Sequence, residues 1–357
     1  MIKCVIWDLD NTVWNGILSE DIEVTLRSGI VDILESFKQK GVVQTIASRN
    51  DMEVAKGKLK EMGIDKYFLY PQINWGNKVN SIQKFINGFH FKIEDILFVD
   101  DNEFERDQVR SKFSTINISD AKNLTEVFEI AKNLKRLDTT EAIERLELYA
   151  LEEKRLINKE NFSGTDIDFL RDSNIQIELL MANYEELDRI KELIDRTNQL
   201  NTTGYRYTKD QLKEMIDNPS YKLYIFKVSD KYGTYGRAAL LILRVHLEKR
   251  VDIVQLIVSC RLLGRGVAQS LLYLAYLHAL SINSTLLTCM FKRNQFNRQM
   301  ILMFTSNKFK NEDFEKTEEA NFFELDITCN KIYLPNWINF LNSENKEINK
   351  VLESIKK

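Results

Sequence analysis

The feature that most constrains this chain is the alternation of short apolar runs with amphipathic segments through residues 1–135. The apolar runs predict strands at Lys3–Trp7, Val42–Ala47, Tyr67–Tyr70 and Asp95–Val99. The segments between them predict helices at Val24–Lys40, Asp51–Met62 and Asn77–Asn87. Such alternation is typical of an α/β domain with a parallel sheet and helices on both faces. Right-handed crossovers bring the carboxyl ends of the strands to one edge, so polar residues after the strands are expected to meet there.

The second half of the chain has a different pattern. Residues 119–158 are rich in Glu, Lys, Leu and Ala and predict one or two long helices, and residues 136–170 are expected to connect two domains. Residues 171–340 place strand-like runs beside one another and predict a separate α+β domain. These runs are Ile175–Leu180, Tyr221–Ser229, Arg237–Leu247, Asp252–Val258, Ser284–Cys289 and Phe322–Asp326. Residues 341–357 predict a charged helical tail.

Composition excludes several classes of protein. With 44% hydrophobic and 29% charged residues, the chain is neither disordered nor of low complexity. A net charge of -3 provides no general attraction for nucleic acid, and no apolar run approaches the ~20 residues of a membrane span. The N-terminus has no signal-peptide pattern, and the four cysteines form no CxxC pair. We therefore expect a cytoplasmic protein with neither nucleic acid nor a membrane as partner.

Two carboxylates follow the first predicted strand directly. Asp8 and Asp10, with Thr12, form a DxDxT segment. Carboxylates at positions i and i+2 past a strand end can converge on one hard divalent cation, and Mg²⁺ prefers such oxygen ligands. An Asx-type turn would also explain this segment, because Asp and Asn favour turns.

Three later segments repeat this placement of polar residues. Ser48 ends the second strand, Lys78 begins a helix, and Asp100 with Asp101 ends the strand Asp95–Val99. A hydroxyl at a helix start can hold a phosphate, and a lysine can neutralise phosphoryl oxygens. Singly, these residues are also explained as a helix cap, a solvated lysine and a turn. Four such segments in order favour a shared site.

The four segments together resemble the motifs of the haloacid dehalogenase (HAD) superfamily of phosphotransferases. The resemblance implies a HAD-like parallel Rossmannoid sheet, with Asp8 as nucleophile and Asp10 as general acid/base. It implies that Mg²⁺ is bound by Asp8, Asp10 and Asp100, and that Lys78 offsets charge on the transferred phosphoryl group. Five further residues are expected to bind phosphate or substrate: Thr12, Trp14, Ser48, Arg49 and Asn50.

A second candidate site lies in the C-terminal half, where a glycine-containing turn follows the strand Asp252–Val258. Glycines allow a tight turn with exposed N–H groups, and the helix that follows adds positive potential for an anion. The pattern resembles the coenzyme A loop of GNAT-type acyltransferases, although an ordinary turn would also fit it. The expected pantetheine-binding residues are Arg261, Gly264, Arg265, Gly266, Ala268 and Asn297.

Cys260 precedes this turn and has two interpretations. As a catalytic residue, it would be a thiolate favoured by Arg261 and Arg265 that carries an acyl group. As a structural residue, it would be a small buried hydrophobe.

Both halves together resemble the FkbH-like proteins. In the first half the resemblance is carried by Trp14, Gly16 and Glu20 near the first motif and by Asn102, Glu105 and Arg106 near the last. In the second half it is carried by the segments Asp195–Asn201, Gly233–Gly236 and Ser259–Arg261. The resemblance implies a Mg²⁺-dependent glyceryl transferase/phosphatase. Such an enzyme dephosphorylates 1,3-bisphosphoglycerate and loads the glyceryl group onto the phosphopantetheine thiol of an acyl carrier protein. Two alternatives stay open: a phosphatase for a small or carrier-bound phosphoester whose second domain only binds, and an acyl-CoA-dependent acyltransferase with a degenerate first domain. The order of dephosphorylation and transfer is also open.

Overall fold

The computed structural model describes residues 2–21, 23–134, 139–197, 199–294, 297–311, 321–341 and 349. It divides into two compact units, residues 1–161 and 162–357. Each unit is described by itself below.

The first unit is built on a parallel sheet. Its strands are β1 (Cys4–Trp7), β2 (Trp14–Asn15), β3 (Thr25–Leu26), β4 (Val43–Ser48), β5 (Gln72–Ile73), β6 (Ile96–Asp100) and β7 (Asn117–Asp120). The order in the sheet is β5-β4-β1-β6-β7, with parallel neighbours throughout, while β2 and β3 form a separate antiparallel pair. The central strands are buried along their whole length, which explains their continuous apolar sequence.

Helices cover both faces of this sheet, as the sequence predicted. They are α1 (Ile30–Gln39), α2 (Met52–Glu61), α3 (Lys78–Phe89), α4 (Glu103–Lys112), α5 (Leu124–Asn133) and α6 (Thr139–Glu160). Short 3-10 helices lie at Asp65–Tyr67, Ile93–Asp95 and Ala121–Asn123. Successive residues of β1 point to opposite faces: Trp7 packs in the core with Phe37 of α1, and Ile6 in the core with Phe85 of α3.

Three local predictions were wrong. The first helix begins at Ile30 rather than Val24, because Gly29 adopts a left-handed conformation (φ 78°) before it. The predicted strand Tyr67–Tyr70 forms none, and the edge strand is β5 instead. Strand β7 was missed, since it falls within and just before the segment predicted to be helical.

The predicted connector, residues 136–170, is divided between the two units. Helix α6 belongs to the first unit, where Leu146, Tyr149 and Leu156 pack against the same core as α3. It also carries a buried ion pair between Arg155 and Glu152. The apolar stripe of α6 therefore serves as core rather than as a linker surface. The predicted tail, residues 341–357, lies outside the described residues except for 341 and 349.

The second unit is an α+β domain, as predicted. Its strands are β8 (Ile175–Met181), β9 (Tyr221–Asp230), β10 (Gly233–His246), β11 (Arg250–Val258), β12 (Leu286–Phe291), β13 (Asn321–Asp326) and β14 (Ile338–Phe340). They are ordered β13-β12-β11-β10-β9-β8-β14. Its helices are α7 (Asp166–Asp172), α8 (Leu187–Arg196), α9 (Lys209–Asp217), α10 (Val267–Ser281) and α11 (Arg298–Ser306), with short 3-10 helices at Tyr184–Glu186 and Cys260–Leu262.

Strand β11 changes partners along its length. It pairs antiparallel with β10, and parallel with β12 only from Arg250 to Ile253. Beyond Ile253 the two parallel strands no longer pair, and the glycine turn follows the free end of β11. None of the helices in the described ranges has both the length and the apolar character required to cross a membrane.

Candidate functional site

Three charged side chains meet at the carboxyl edge of the parallel sheet. Lys78 Nζ lies 2.8 Å from Oδ1 of Asp8 and 2.7 Å from Oδ2 of Asp100. All three side chains are buried. A buried lysine between two buried carboxylates leaves one negative charge in excess when all three groups are ionised, which makes the edge suited to a cation.

The fold explains why these residues meet. Asp8 directly follows β1, and Asp100 ends β6, which is the neighbour of β1 in the sheet. Lys78 is the first residue of α3, whose N-cap Asn77 accepts a hydrogen bond from the Val79 amide. The cap sets the start of the helix and so places the lysine over the ends of both strands.

Burial dominates the electrostatics of this cluster. It raises the pKa of Asp8 to about 7, against the lowering effect of Lys78 and with a further increase from Asp100. Burial likewise raises the pKa of Asp100, although Lys78 opposes it. For Lys78 itself, burial works to lower the pKa, but the two carboxylates outweigh burial and raise it.

The Asp10 carboxylate is held apart from this cluster. Its Oδ1 accepts hydrogen bonds from Trp14 Nε1 at 2.8 Å and from the Leu18 amide at 3.0 Å. Its Oδ2 accepts one from Asn50 Nδ2 at 2.9 Å. Trp14 and Asn50, both predicted to bind phosphate or substrate, therefore position Asp10. The chain can make this arrangement because it reverses sharply after Asp10, with Asn11 in the left-handed region (φ 52°).

The two predicted phosphate-binding hydroxyls are buried at the same edge. Ser48 Oγ accepts a 3.3 Å hydrogen bond from Asn50. Thr12 Oγ1 accepts a 3.2 Å hydrogen bond from the Asp101 amide, which ties the first motif to the last. Arg49, the remaining predicted residue, is half exposed and pairs with Glu105 at 2.9 Å.

The donor set for a metal differs from the prediction. Among the described residues, Asp8, Asp100 and Asp101 bring carboxylate oxygens within 4.8 Å of one another. The predicted set included Asp10 in place of Asp101. The Asp10 carboxylate, which accepts the three hydrogen bonds given above, is not part of this group. An all-oxygen acidic set, partly buried, suits Mg²⁺.

In the second unit, the backbone of the glycine turn makes the tight turn that was predicted. The side chain of Trp337, however, lies against the start of the helix that follows. Gly264 and Gly266 both have positive φ, 72° and 86°, and Gly266 caps α10. Trp337 Nε1 donates a 3.0 Å hydrogen bond to the Arg265 carbonyl. A Cβ on Gly266 would lie 2.8 Å from that nitrogen, so contact with Trp337, as well as backbone conformation, requires glycine here.

The other residues predicted near this turn are placed as follows. Cys260 is half-buried in the 3-10 helix that follows β11. Arg261 donates to the Tyr235 carbonyl at 3.2 Å, and the Arg265 guanidinium lies over the Tyr235 ring. Asn297 is fully buried and donates to the carbonyls of Asn201 and Lys292, so its amide is engaged within the protein.

A largely apolar cavity of about 330 Å³ lies beside the turn. Gly264, Gly266 and Ala268 form one wall, and Met300 and Met303 of α11 form another. Of the predicted pantetheine-binding residues, the glycines and Ala268 line the cavity.

The sequence predicted no structural role for the polar segment at the free edge of β11, of which Asp195–Asn201 stood out only by family resemblance. Thr202 N donates to the Leu256 carbonyl at 3.1 Å, and Val258 N donates to the Leu200 carbonyl at 2.8 Å. Buried Gln255 donates from Nε2 to Asn201 and Thr203. The chain itself therefore occupies the β11 edge where β12 has separated. The Asn- and Thr-rich sequence of this segment was the available signal.

One family model matches part of the chain. Residues 7–118 match the family model of haloacid dehalogenase-like hydrolases. No curated protein matches the sequence. The N-terminal part of the Bacteroides fragilis protein BF1531, which contains a phosphatase domain complexed with Mg, is 24% identical (TM-score 0.33). The match covers 37% of this chain and 40% of that one.

Acetyltransferases are also among the similar structures. The ribosomal-protein-S18-alanine N-acetyltransferase from Escherichia coli is 13% identical, with 47% of this chain and 97% of that one covered and a TM-score of 0.33. The PaiA N-acetyltransferase from Thermoplasma acidophilum, in complex with coenzyme A, is 14% identical, with 42% and 98% covered and a TM-score of 0.34. The family-model match lies within the first unit.

The acidic set leads to a prediction about metal binding. Mg²⁺ should raise the melting temperature, by an amount equivalent to about 2.7 kcal/mol at a hundred times its dissociation constant. Asp101→Asn should remove most of this increase, because Asp101 belongs to the set. Asp10→Asn is the matched control and should retain it. Differential scanning calorimetry with and without Mg²⁺ measures both. Equal losses in the two variants would contradict the geometry.

Proposed function

We propose that this chain is a Mg²⁺-dependent glyceryl transferase/phosphatase that uses 1,3-bisphosphoglycerate and an acyl carrier protein. The observation that carries the phosphatase half is the buried Asp8–Lys78–Asp100 cluster, within the segment that matches HAD-like hydrolases. The transferase half is supported by the family resemblance of the sequence, and by a thiol and an apolar cavity near the glycine turn.

The first unit supplies the residues for removing a phosphate ester. Asp8 attacks phosphorus to form an aspartyl phosphate, and the bond between phosphorus and the ester oxygen breaks. Asp10 gives a proton to the departing oxygen and later takes one from the water that releases inorganic phosphate. Lys78 stabilises negative charge on the phosphoryl oxygens. A Mg²⁺ ion held by Asp8, Asp100 and Asp101 would add electrostatic stabilisation of the same charge.

The second unit would act on the acyl phosphate. A thiolate forms a bond to the glyceryl carbonyl carbon, and the bond from that carbon to the phosphate oxygen breaks. Phosphate leaves with the electron pair, so no further activation is required. In this proposal Cys260 accepts the glyceryl group and passes it to the carrier thiol, whose pantetheine arm lies in the cavity beside Gly264 and Gly266.

Intact-mass analysis tests the whole proposal. The full chain is incubated with Mg²⁺, 1,3-bisphosphoglycerate and a phosphopantetheinylated acyl carrier protein. The expected result is a carrier mass increased by one glyceryl group. The control is the same carrier without its pantetheine arm, which should stay unchanged. Phosphate release without any gain in carrier mass would leave only the phosphatase half.

The second candidate is a phosphatase whose second domain only binds a partner. Two contacts favour it: Trp337 covers the start of α10, and the Asn297 amide is engaged within the protein. Both contacts leave fewer polar groups at the glycine turn for binding an anionic or amide-bearing ligand. The carrier-loading experiment separates the two candidates.

A prediction about Cys260 separates its two roles. If it carries the acyl group, Cys260→Ala should stop glyceryl transfer while Asp8-dependent hydrolysis of a generic phosphate ester continues. If it only fills space, the change leaves a small void that costs about 1 kcal/mol, and transfer survives. The matched control is Cys329→Ala, because Cys329 is exposed. A Cys260→Ala variant that loads the carrier at the wild-type rate would leave the carrier thiol to attack directly.

A further inference from the structure

An ion pair between Arg49 and Glu105 lies beside the first site and has no role in the chemistry above. Arg49 follows the last residue of β4, and Glu105 lies in the first turn of α4. Arg49 Nη2 lies 2.9 Å from Glu105 Oε1. Glu105 is the one charged partner of Arg49 in the described part of the chain.

The sheet order gives this pair its position. Strands β4 and β6 are the two neighbours of β1, and α4 follows β6 after the pair Asp100–Asp101. The contact between Arg49, at the end of β4, and Glu105, in the first turn of α4, therefore connects the elements on either side of β1. Asp8 directly follows β1. The pair lies next to the catalytic edge rather than at a remote surface.

The two partners are buried to very different degrees. The Glu105 side chain is 5% exposed, and the Arg49 side chain is 44% exposed. Glu105 Oε2 is buried and has no hydrogen-bond partner within the described structure. A buried carboxylate with a partner for only one of its two oxygens destabilises the fold. Stability therefore does not explain why Glu105 is buried here. An exposed glutamate would serve the N-terminal end of α4 equally well.

The ion pair with Glu105 engages only part of the Arg49 guanidinium, and the Arg49 side chain is half exposed. A guanidinium has five N–H donors, and one nitrogen of this one contacts Glu105. Asp8, Ser48 and Lys78, which are placed to surround a phosphoryl group, are all buried. The half-exposed guanidinium of Arg49, which follows the last residue of β4, is accessible to a part of the substrate outside the transferred phosphoryl group.

We propose that Glu105 is a positioning residue that holds Arg49 beside the site, so that the remaining donors of Arg49 bind a second anionic group on the substrate. The proposal rests on the proposed phosphatase function. It makes the enzyme selective for phosphate esters whose leaving group itself carries a negative charge. Arginine suits this role because its planar fork binds carboxylates and phosphates in a fixed direction.

The test compares two esters that differ in one group. 3-Phosphoglycerate carries a carboxylate where sn-glycerol 3-phosphate carries a hydroxymethyl group. With the full chain and Mg²⁺, Glu105→Gln should raise KM for 3-phosphoglycerate about ten-fold and leave kcat within about two-fold, as expected when one charge-assisted contact is weakened. KM for glycerol 3-phosphate should stay unchanged. Glu103→Gln, in the same helical turn but exposed, is the matched control.

A double variant tests whether Glu105 acts through Arg49. In an Arg49→Met background, Glu105→Gln should add no further loss for 3-phosphoglycerate. Equal losses on both esters, or additive losses in the double variant, would overturn the proposal. Melting temperatures show that each variant is folded.

A separate binding measurement distinguishes failure of this proposal from failure of the proposed function. If the wild type hydrolyses neither ester, the proposed function is decided separately by the carrier-loading experiment. The thermal shift produced by each ester with Mg²⁺ then decides the role of Glu105. A larger shift with 3-phosphoglycerate that disappears in Glu105→Gln supports positioning. Equal shifts in the wild type refute it.

Discussion

Replacing Asp8 with Asn should abolish phosphate release, with a fall in kcat of at least about 10³-fold. Asn keeps the shape of the side chain but is not a carboxylate nucleophile. The fold should survive, because Lys78 retains Asp100 at 2.7 Å and a poorly solvated acid has been removed. Steady-state release of inorganic phosphate from a monoester measures the effect.

The control for this variant is Asp107→Asn, which changes an exposed carboxylate on α4. It should retain wild-type activity. Phosphate release near the wild-type rate by the Asp8→Asn variant would remove Asp8 from the mechanism and, with it, the proposed phosphatase function.

Replacing Lys78 with Met should destabilise the metal-free protein by about 3–5 kcal/mol, because it leaves two buried carboxylates without their cation. The matched control is Lys84→Met on the same helix. Lys84 pairs with Glu160 at the surface, where loss of an ion pair costs about 0–1 kcal/mol. Denaturant unfolding in a chelating buffer measures both, and Mg²⁺ should restore part of the stability lost in Lys78→Met.

The pH dependence of Lys78→Met follows from the same cluster. The folded pKa of Asp8 is raised to about 7, above its unfolded value, so folding favours the protonated acid. In the wild type, the cost of ionising buried Asp8 is therefore absent below the unfolded pKa and fully present above about pH 7. Without Lys78 the folded pKa rises further, and the variant should be less stable at pH 8 than at pH 6. Equal stability at both values would contradict the assigned electrostatics.

Most of the architecture could be predicted because it depends on local patterns. Runs such as Val42–Ala47 are apolar throughout because both faces of the strand are buried, and this signal is visible in sequence. The order of polar residues after successive strands predicted that Asp8, Ser48, Lys78 and Asp100 share an edge. Chain topology alone requires this, whichever way each side chain turns.

The sequence alone determined which segments supply the site, because strand periodicity and the common edge of a parallel sheet are local and topological properties. Only the tertiary structure decided what each side chain does there. Asp10 and Asp101 are both acids beside a strand end. The Asp10 carboxylate accepts hydrogen bonds from Trp14 and Asn50, whereas Asp101 lies with Asp8 and Asp100 in the acidic group that could hold a metal. Likewise, nothing local to α6 shows that its apolar stripe is core, or that Glu105 meets Arg49. Those outcomes depend on contacts between residues far apart in the chain, whose geometry no local pattern encodes.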